Sequence, residues 1–137
     1  MANKQFVVFK LADEEYGIDI MGVQEIIVPV PLTKIPNVPE YFSGVFNLRG
    51  DIIPLIDMRK RFGLAAIEDN DEARIVVLGL EKPIGILVDS IHEVLMIDED
   101  GIENSEDINS AISQEFISGI AKKDQRLIIL LNLEGAF

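Results

Sequence analysis

The sequence predicts a mainly β protein built from two copies of one small unit, arranged as barrels or as a sandwich. Short β-rich runs recur at a spacing of about ten residues, with turn-forming residues between them. Two ungapped blocks then repeat in the same order. Residues 6–27 lie over 74–95, matching Val8 with Val76, Gly17 with Gly85, Ile18 with Ile86 and Glu25 with Glu93. Residues 41–58 lie over 116–133, matching Ser43 with Ser118, Gly44 with Gly119, Ile53 with Ile128 and Leu55 with Leu130. Any two strand-rich segments share Val and Ile, so the duplication rests on block order and on the paired glycines.

The elements follow in chain order. Phe6 to Leu11 and Tyr16 to Ile20 read as strands separated by the polar connection Ala12-Asp13-Glu14-Glu15. Further strands are expected at Glu25 to Val28, Gly44 to Leu48, Ile52 to Asp57, Arg74 to Leu80, Ile84 to Val88, His92 to Ile97, Ser118 to Lys122 and Leu127 to Leu131. Pro29, Pro31, Pro36 and Pro39 exclude a regular central strand between the third and fourth of these, because proline cannot donate to a ladder; an extended connector is expected. Helices are expected to be brief: Asp57 to Phe62 closed by Gly63, a segment near Ile108 to Gln114, and a last turn after Asn132. Ala65 to Glu72 is polar and acidic, and reads as the crossover between copies. The second copy is seven residues longer than the first, and the extra length falls in the acidic stretch from Asp98 through Asp107, read as a solvated surface insertion.

Composition narrows the function. A chain of 137 residues can bury one good core or two small ones, and its longest apolar runs, Ile52 to Ile56 and Leu127 to Leu131, have strand length. A membrane helix needs about 20 apolar residues. The first residues enter a strand pattern directly, without the apolar core of a secretory signal, and cysteine is absent, which excludes disulfides and thiol chemistry. A cytoplasmic chain is expected. The net charge of −12 opposes a phosphate backbone, so no nucleic-acid partner is expected. The one basic cluster, Arg59-Lys60-Arg61, reads as a solvated helix start.

The search for reactive groups returns none. His92 is the only histidine, its counterpart in the first copy is Gln24, and it reads as a polar residue on a strand face. Without cysteine or a second histidine the usual pairs of nucleophile and base cannot be built, and no Gly-x-Ser-x-Gly elbow occurs. Gly17, Gly22, Gly44 and Gly50 stand apart rather than in a phosphate loop. Asp69 to Glu72 and Asp98 to Gly101 lack the spacing of a calcium loop, and the tripeptide Arg49-Gly50-Asp51 has no extracellular context. No enzyme, metal or cofactor is expected. What remains is apolar surface. Val23, Ile26, Ile27, Val30, Leu32 and Ile35 either fill core or, beside the proline-rich connector, form a groove able to take a partner's helix.

Several stretches together resemble the CheW family of bacterial chemotaxis coupling proteins. They are Phe9 with EEYGIDIMGVQEI, Ile35-Pro36, GVFNLRGDIIPLIDMRKRFG, GILVDSIHEVL and FISGIAKKDQRLIILLNLE, spanning about Gln5 to Glu134, with Gly44 through Gly63 the most specific part. The resemblance implies two small five-stranded SH3-like β-barrels with short helices, within a single CheW-like domain over residues 1–137. Barrel one is expected over about 16–64 and barrel two over about 74–122, with terminal segments 5–11 and 126–137 packing across the pair. It also implies a non-enzymatic scaffold in the cytoplasm, recruited to membrane-associated receptor arrays. There it would couple the cytoplasmic tips of methyl-accepting chemoreceptors to the regulatory domain of the histidine kinase CheA, the isolated chain being a monomer.

Carried over by position, Val23, Glu25, Gly44 and Arg49 match places associated with receptor binding, and Ile26 joins them from the apolar group. Arg49 has a guanidinium that can fork to a carboxylate or to carbonyls, and its repeat counterpart is Asp124, of opposite sign. It either contacts a partner or holds its turn through an internal pair with Glu25 or another carboxylate. Gly44 is matched by Gly119, which points to a backbone requirement. The implied kinase contacts are Tyr41, Phe42 and Ser43 on one face and Ile108 on another; Ser43 stands where some relatives carry a basic residue. The same module also occurs in CheV-type adaptors and in the kinase itself. Those architectures add receiver or ATP-binding domains for which 137 residues leave no room, so the separate coupling protein is the expectation.

Overall fold

The computed structural model describes residues 3–65, 71–104 and 116–133. In chain order these hold β1 (Asn3–Leu11), β2 (Glu14–Asp19), β3 (Val23–Ile27), β4 (Phe42–Leu48), β5 (Asp51–Asp57), α1 (Met58–Arg61), β6 (Arg74–Leu78), β7 (Ile84–Val88), β8 (Ser90–Asp98), β9 (Ile102–Asn104), β10 (Ile117–Lys123) and β11 (Arg126–Leu131). Every strand read from the sequence is present. The helix expected from Asp57 is α1, with the Asp57 side chain accepting from the Lys60 N–H as its cap. The helical segment near Ile108 and, past Leu133, the last turn expected after Asn132 fall outside the described residues.

Two compact units divide the chain, one of Met1–Met21 with Ile91–Phe137 and one of Gly22–Ser90. The first holds a six-stranded sheet in the order β8-β1-β2-β11-β10-β9, the second a five-stranded sheet in the order β3-β6-β7-β5-β4. The first five positions of the six-stranded sheet are each filled by the repeat counterpart of the strand in the five-stranded one, and β9 is an addition at its edge. The registers agree as well: Leu130 lies beside Gly17 in the parallel pair of β11 with β2, and Leu55 beside Gly85 in the parallel pair of β5 with β7. The duplication is therefore carried in topology and register.

The units do not follow the boundaries 16–64 and 74–122. Each sheet combines the third strand and final hairpin of one copy with the first hairpin of the other, so the two copies exchange β1–β2 for β6–β7. The exchange is carried by the parallel pairs, β2 with β11 and β5 with β7, which no tight turn could close. The 3-10 turn Ile20–Gly22 ends the first hairpin, and the chain leaves one unit for the other there.

Each unit has its own core. Phe6, Val8, Ile97, Ala121, Ile128 and Leu130 fill the first; Phe46, Ile53, Leu55, Ile75 and Val77 fill the second. Each fully buried Val, Ile, Leu or Phe side chain contributes about 2 kcal/mol of transfer free energy. Gly17 and Gly85 let the neighbouring strands close in, since a Cβ at Gly85 would lie 2.9 Å from the Ile75 side chain and one at Gly17 3.0 Å from that of Leu130.

Gly44 and Gly119 share a different task. β4 and β10 shift register at matching places, between Phe42 and Gly44 and between Ile117 and Gly119. Beside each shift a further segment pairs with the strand. In the second unit it is the connector, through a two-way Thr33–Val45 bridge; in the first it is β9, lying against Gly119 to Ala121. A Cβ at Gly44 would meet the Thr33 carbonyl oxygen at 2.7 Å, and one at Gly119 the Glu103 carbonyl oxygen at 2.6 Å. β9 is the one described strand the sequence reading missed. Its three residues sit in the acidic insertion and carry no alternation to signal it.

Candidate functional site

The five-stranded sheet has β3 at one edge and β4 at the other, and side chains from the two ends of this order meet. β4 and β5 are joined by a two-residue turn in which Arg49 and Gly50 have φ 50° and 94°. Positive φ at both positions is the mark of a type I′ turn, whose twist matches that of the flanking strands. The Asn47 side-chain oxygen accepts from the Gly50 N–H at 3.0 Å and braces the turn. From it Arg49 reaches β3 and forks onto Glu25, Nη1 to Oε1 at 3.2 Å and Nη2 to Oε2. The Glu25 carboxyl is held below its usual range, first by the hydrogen bond from Arg49, with partial desolvation opposing; the guanidinium is pushed up by the same bond. Of the two readings left open for Arg49, the internal pair is present. Arg49 nevertheless keeps 66 % of its side chain exposed against 25 % for Glu25, so its outer face remains open to a partner.

The other residues of the expected receptor face do not all gather at this bond. Val23 is half-buried, at a register shift between Val23 and Glu25. Ile26 is exposed and, by the alternation of β3, points to the face opposite Glu25. Gly44 is buried against the Thr33 carbonyl and carries the geometry of the fold.

Tyr41, Phe42 and Ser43 lie together at the start of β4, all half-buried. The Asp57 N–H donates to the Tyr41 carbonyl at 2.8 Å, and the Arg61 guanidinium lies over the Tyr41 ring, 5.2 Å from its centre. Ile108 lies outside the described residues. Of the basic cluster, expected as a solvated helix start, Lys60 is exposed, whereas Arg59 and Arg61 are half-buried. Arg59 is anchored to Asp89, Nε to Oδ1 at 2.8 Å and Nη2 to Oδ2 at 2.6 Å, with 15 % and 11 % of the two side chains exposed. Its Nη1 donates to the Ala65 carbonyl at 2.8 Å. Asp89 gave no sequence signal except its place directly after an apolar strand, where the first copy has Met21.

The other unit repeats the carboxylate–arginine device with one change. Glu93, the counterpart of Glu25, pairs with Arg126 at 3.2 Å, and Arg126 also bonds both oxygens of Glu15 at 3.0 Å. The arginine has moved from the turn, where the second copy has Asp124, to the first residue of the last strand. His92 sits beside this cluster, 3.2 Å from Glu93 and 3.8 Å from Glu15, on an exposed strand face. The exposed apolar side chains repeat too: Ile26 matches Val94, Val28 matches Met96, and Ile52 matches Leu127. No cluster of candidate metal ligands occurs among the described residues, and none of their helices is long and apolar enough to cross a membrane.

Comparison with known proteins finds relatives along nearly the whole chain. A family model described as a CheW-like domain matches residues 5–137. A chemotaxis protein CheW of Treponema pallidum is 37 % identical over 138 residues, covering 97 % of this chain and 81 % of that protein. A crystal structure of the scaffolding protein TtCheW from Thermoanaerobacter tengcongensis superposes with a TM-score of 0.92 at 42 % identity, covering all of this chain and 89 % of the other. A chemotaxis protein CheV3 of Helicobacter pylori is 32 % identical over 124 residues, which are 88 % of this chain and 40 % of that protein. The mainly β fold read from the strand spacing, with the two SH3-like units that the family resemblance implied, is that of the solved relative.

Proposed function

Because this chain belongs to the CheW family, we propose that it is a non-enzymatic adaptor that couples methyl-accepting chemoreceptors to the histidine kinase CheA in a cytoplasmic signalling array. The observation that carries the reading is the single CheW-like match across residues 5–137. On this reading the receptor tip meets the seam where β3 faces the β4–β5 turn. Val23 supplies apolar contact on the face it shares with Glu25, the Glu25–Arg49 pair supplies polar specificity through the exposed side of the guanidinium, and Ile26 adds apolar contact from the opposite face of β3. Gly44 acts through the backbone that sets this seam. The kinase regulatory domain meets the Tyr41, Phe42 and Ser43 face, with Ile108 on a second one.

The deciding experiment mixes the purified protein with a CheA regulatory domain and follows kinase activity with and without receptors. Micromolar or tighter binding is expected, with stimulation only when receptors are present. A pull-down that recovers no kinase removes the proposal. A second reading, the same module serving inside a CheV-type adaptor, is favoured by the CheV3 likeness alone, in which this chain matches less than half of the relative.

A further inference from the structure

We infer that Arg61 is a positioning residue for the kinase-docking face and that the Arg59–Asp89 fork is the anchor that lets it act. The inference rests on the proposed role of Tyr41, and it names residues outside the faces expected from the sequence.

α1 is a single turn of four residues. A helix this short has no stability of its own, because nucleation costs more than one turn returns. What holds it is specific. Asp57 caps its start, and from the helix Arg59 makes a two-nitrogen fork onto Asp89 at the β7–β8 junction while its remaining nitrogen bonds the Ala65 carbonyl just beyond α1. Planar, bidentate geometry with little solvent fixes direction as well as distance, which a lysine at the same place cannot copy. Two residues further on, Arg61 projects from the fixed turn and covers the Tyr41 ring at 5.2 Å. The Tyr41 backbone is tied to the same corner by the bond from the Asp57 N–H. The ring is therefore pinned through its main chain on one side and through its π-face on the other, and a docking aromatic held in one orientation binds with a smaller loss of side-chain freedom.

The test measures binding of a CheA regulatory domain by calorimetry, with binding of a receptor-tip fragment as the control, on wild type, Tyr41→Ala, Arg61→Ala, Arg61→Lys, Arg59→Ala and the double variant Tyr41→Ala/Arg61→Ala. Arg61→Ala is expected to weaken kinase binding about threefold, the size of one exposed cation–π contact, with receptor binding and circular dichroism unchanged. Arg61→Lys recovers part of the loss. The double variant binds no more weakly than Tyr41→Ala alone, since one residue acts through the other. Arg59→Ala copies the Arg61→Ala effect at temperatures where it remains folded.

Additive losses, or an Arg61→Ala variant that binds like wild type while Tyr41→Ala does not, overturn the inference and leave the adaptor reading standing. If Tyr41→Ala binds the kinase normally, the Tyr41 face and this inference fall together. If even the wild type fails to bind, the adaptor reading falls. The positioning contact is then read from the Tyr41 ring resonances, and their insensitivity to Arg61→Ala overturns it independently.

Discussion

The bond between Arg49 and Glu25 is both a fold contact and a candidate docking group, and the two roles separate by titration. Glu25 has a carboxyl pKa lowered in the folded chain by the Arg49 hydrogen bond. A lowered folded value means that the contribution of the pair is present above the ordinary carboxylate range, about pH 4.3, and is lost as pH falls through the folded pKa. By NMR, Glu25 should titrate below ordinary glutamates in the wild type and return to them in Arg49→Ala. A normal midpoint in the wild type would show that the pair does not persist in solution. Because the Arg49 side chain stands largely in solvent and Glu25 is only half-buried, Arg49→Ala should keep its circular dichroism and melting transition while losing receptor coupling; unfolding instead would make Arg49 structural. Gly44 behaves in the opposite way. At φ 146°, with the Thr33 carbonyl 2.7 Å from any added Cβ, Gly44→Ala should cost about 2 kcal/mol or more in denaturant unfolding. A neutral Gly44→Ala would exclude this account of the glycine.

The two final hairpins show which differences between the copies matter. The sequence makes the Arg49-containing turn look singular, yet Asp124 and Gln125 repeat its backbone at φ 51° and 69°. The difference is chemical: one copy places glycine at the second position and the other places glutamine, which is strained there. Gln125→Gly should therefore stabilise the protein by about 1 kcal/mol, and Gly50→Gln should destabilise it by a similar amount. Equal stability of all three proteins in urea would contradict the strain. Strand positions were legible because alternation and turn residues act locally, and the paired glycines exposed the repeat. The ion pairs were not legible. Arg59 meets Asp89 across 30 residues and Arg126 meets Glu15 across 111, and no local pattern encodes such a distance. For Arg126 the repeat itself misled, because the aligned position, Asp124, has the wrong charge and the arginine that serves Glu93 lies two residues along.

At the scale of the whole chain, hairpin exchange makes the repeat unit and the folding unit different objects. A single copy, residues 1–65, carries β1 to β5 but neither β6 nor β7, so its third strand and its final hairpin have no partner between them and its first hairpin has no sheet to join. Residues 22–90 cut across the repeat yet contain all five strands of one sheet, its core and the Arg59–Asp89 and Arg49–Glu25 pairs. Edges left bare by a missing hairpin expose unpaired N–H and C=O groups, which either stay hydrated in an unfolded chain or pair with a second molecule. The 22–90 fragment should thus melt cooperatively as a monomer, although with lower stability than the intact chain because a piece this small buries proportionally less surface. The 1–65 fragment should be unfolded or associated, and adding residues 66–137 should restore β structure as each copy receives the hairpin it lacks. A 1–65 fragment that folds as a stable monomer would mean that each copy closes on its own hairpin, contrary to the exchanged registers of β2 with β11 and β5 with β7.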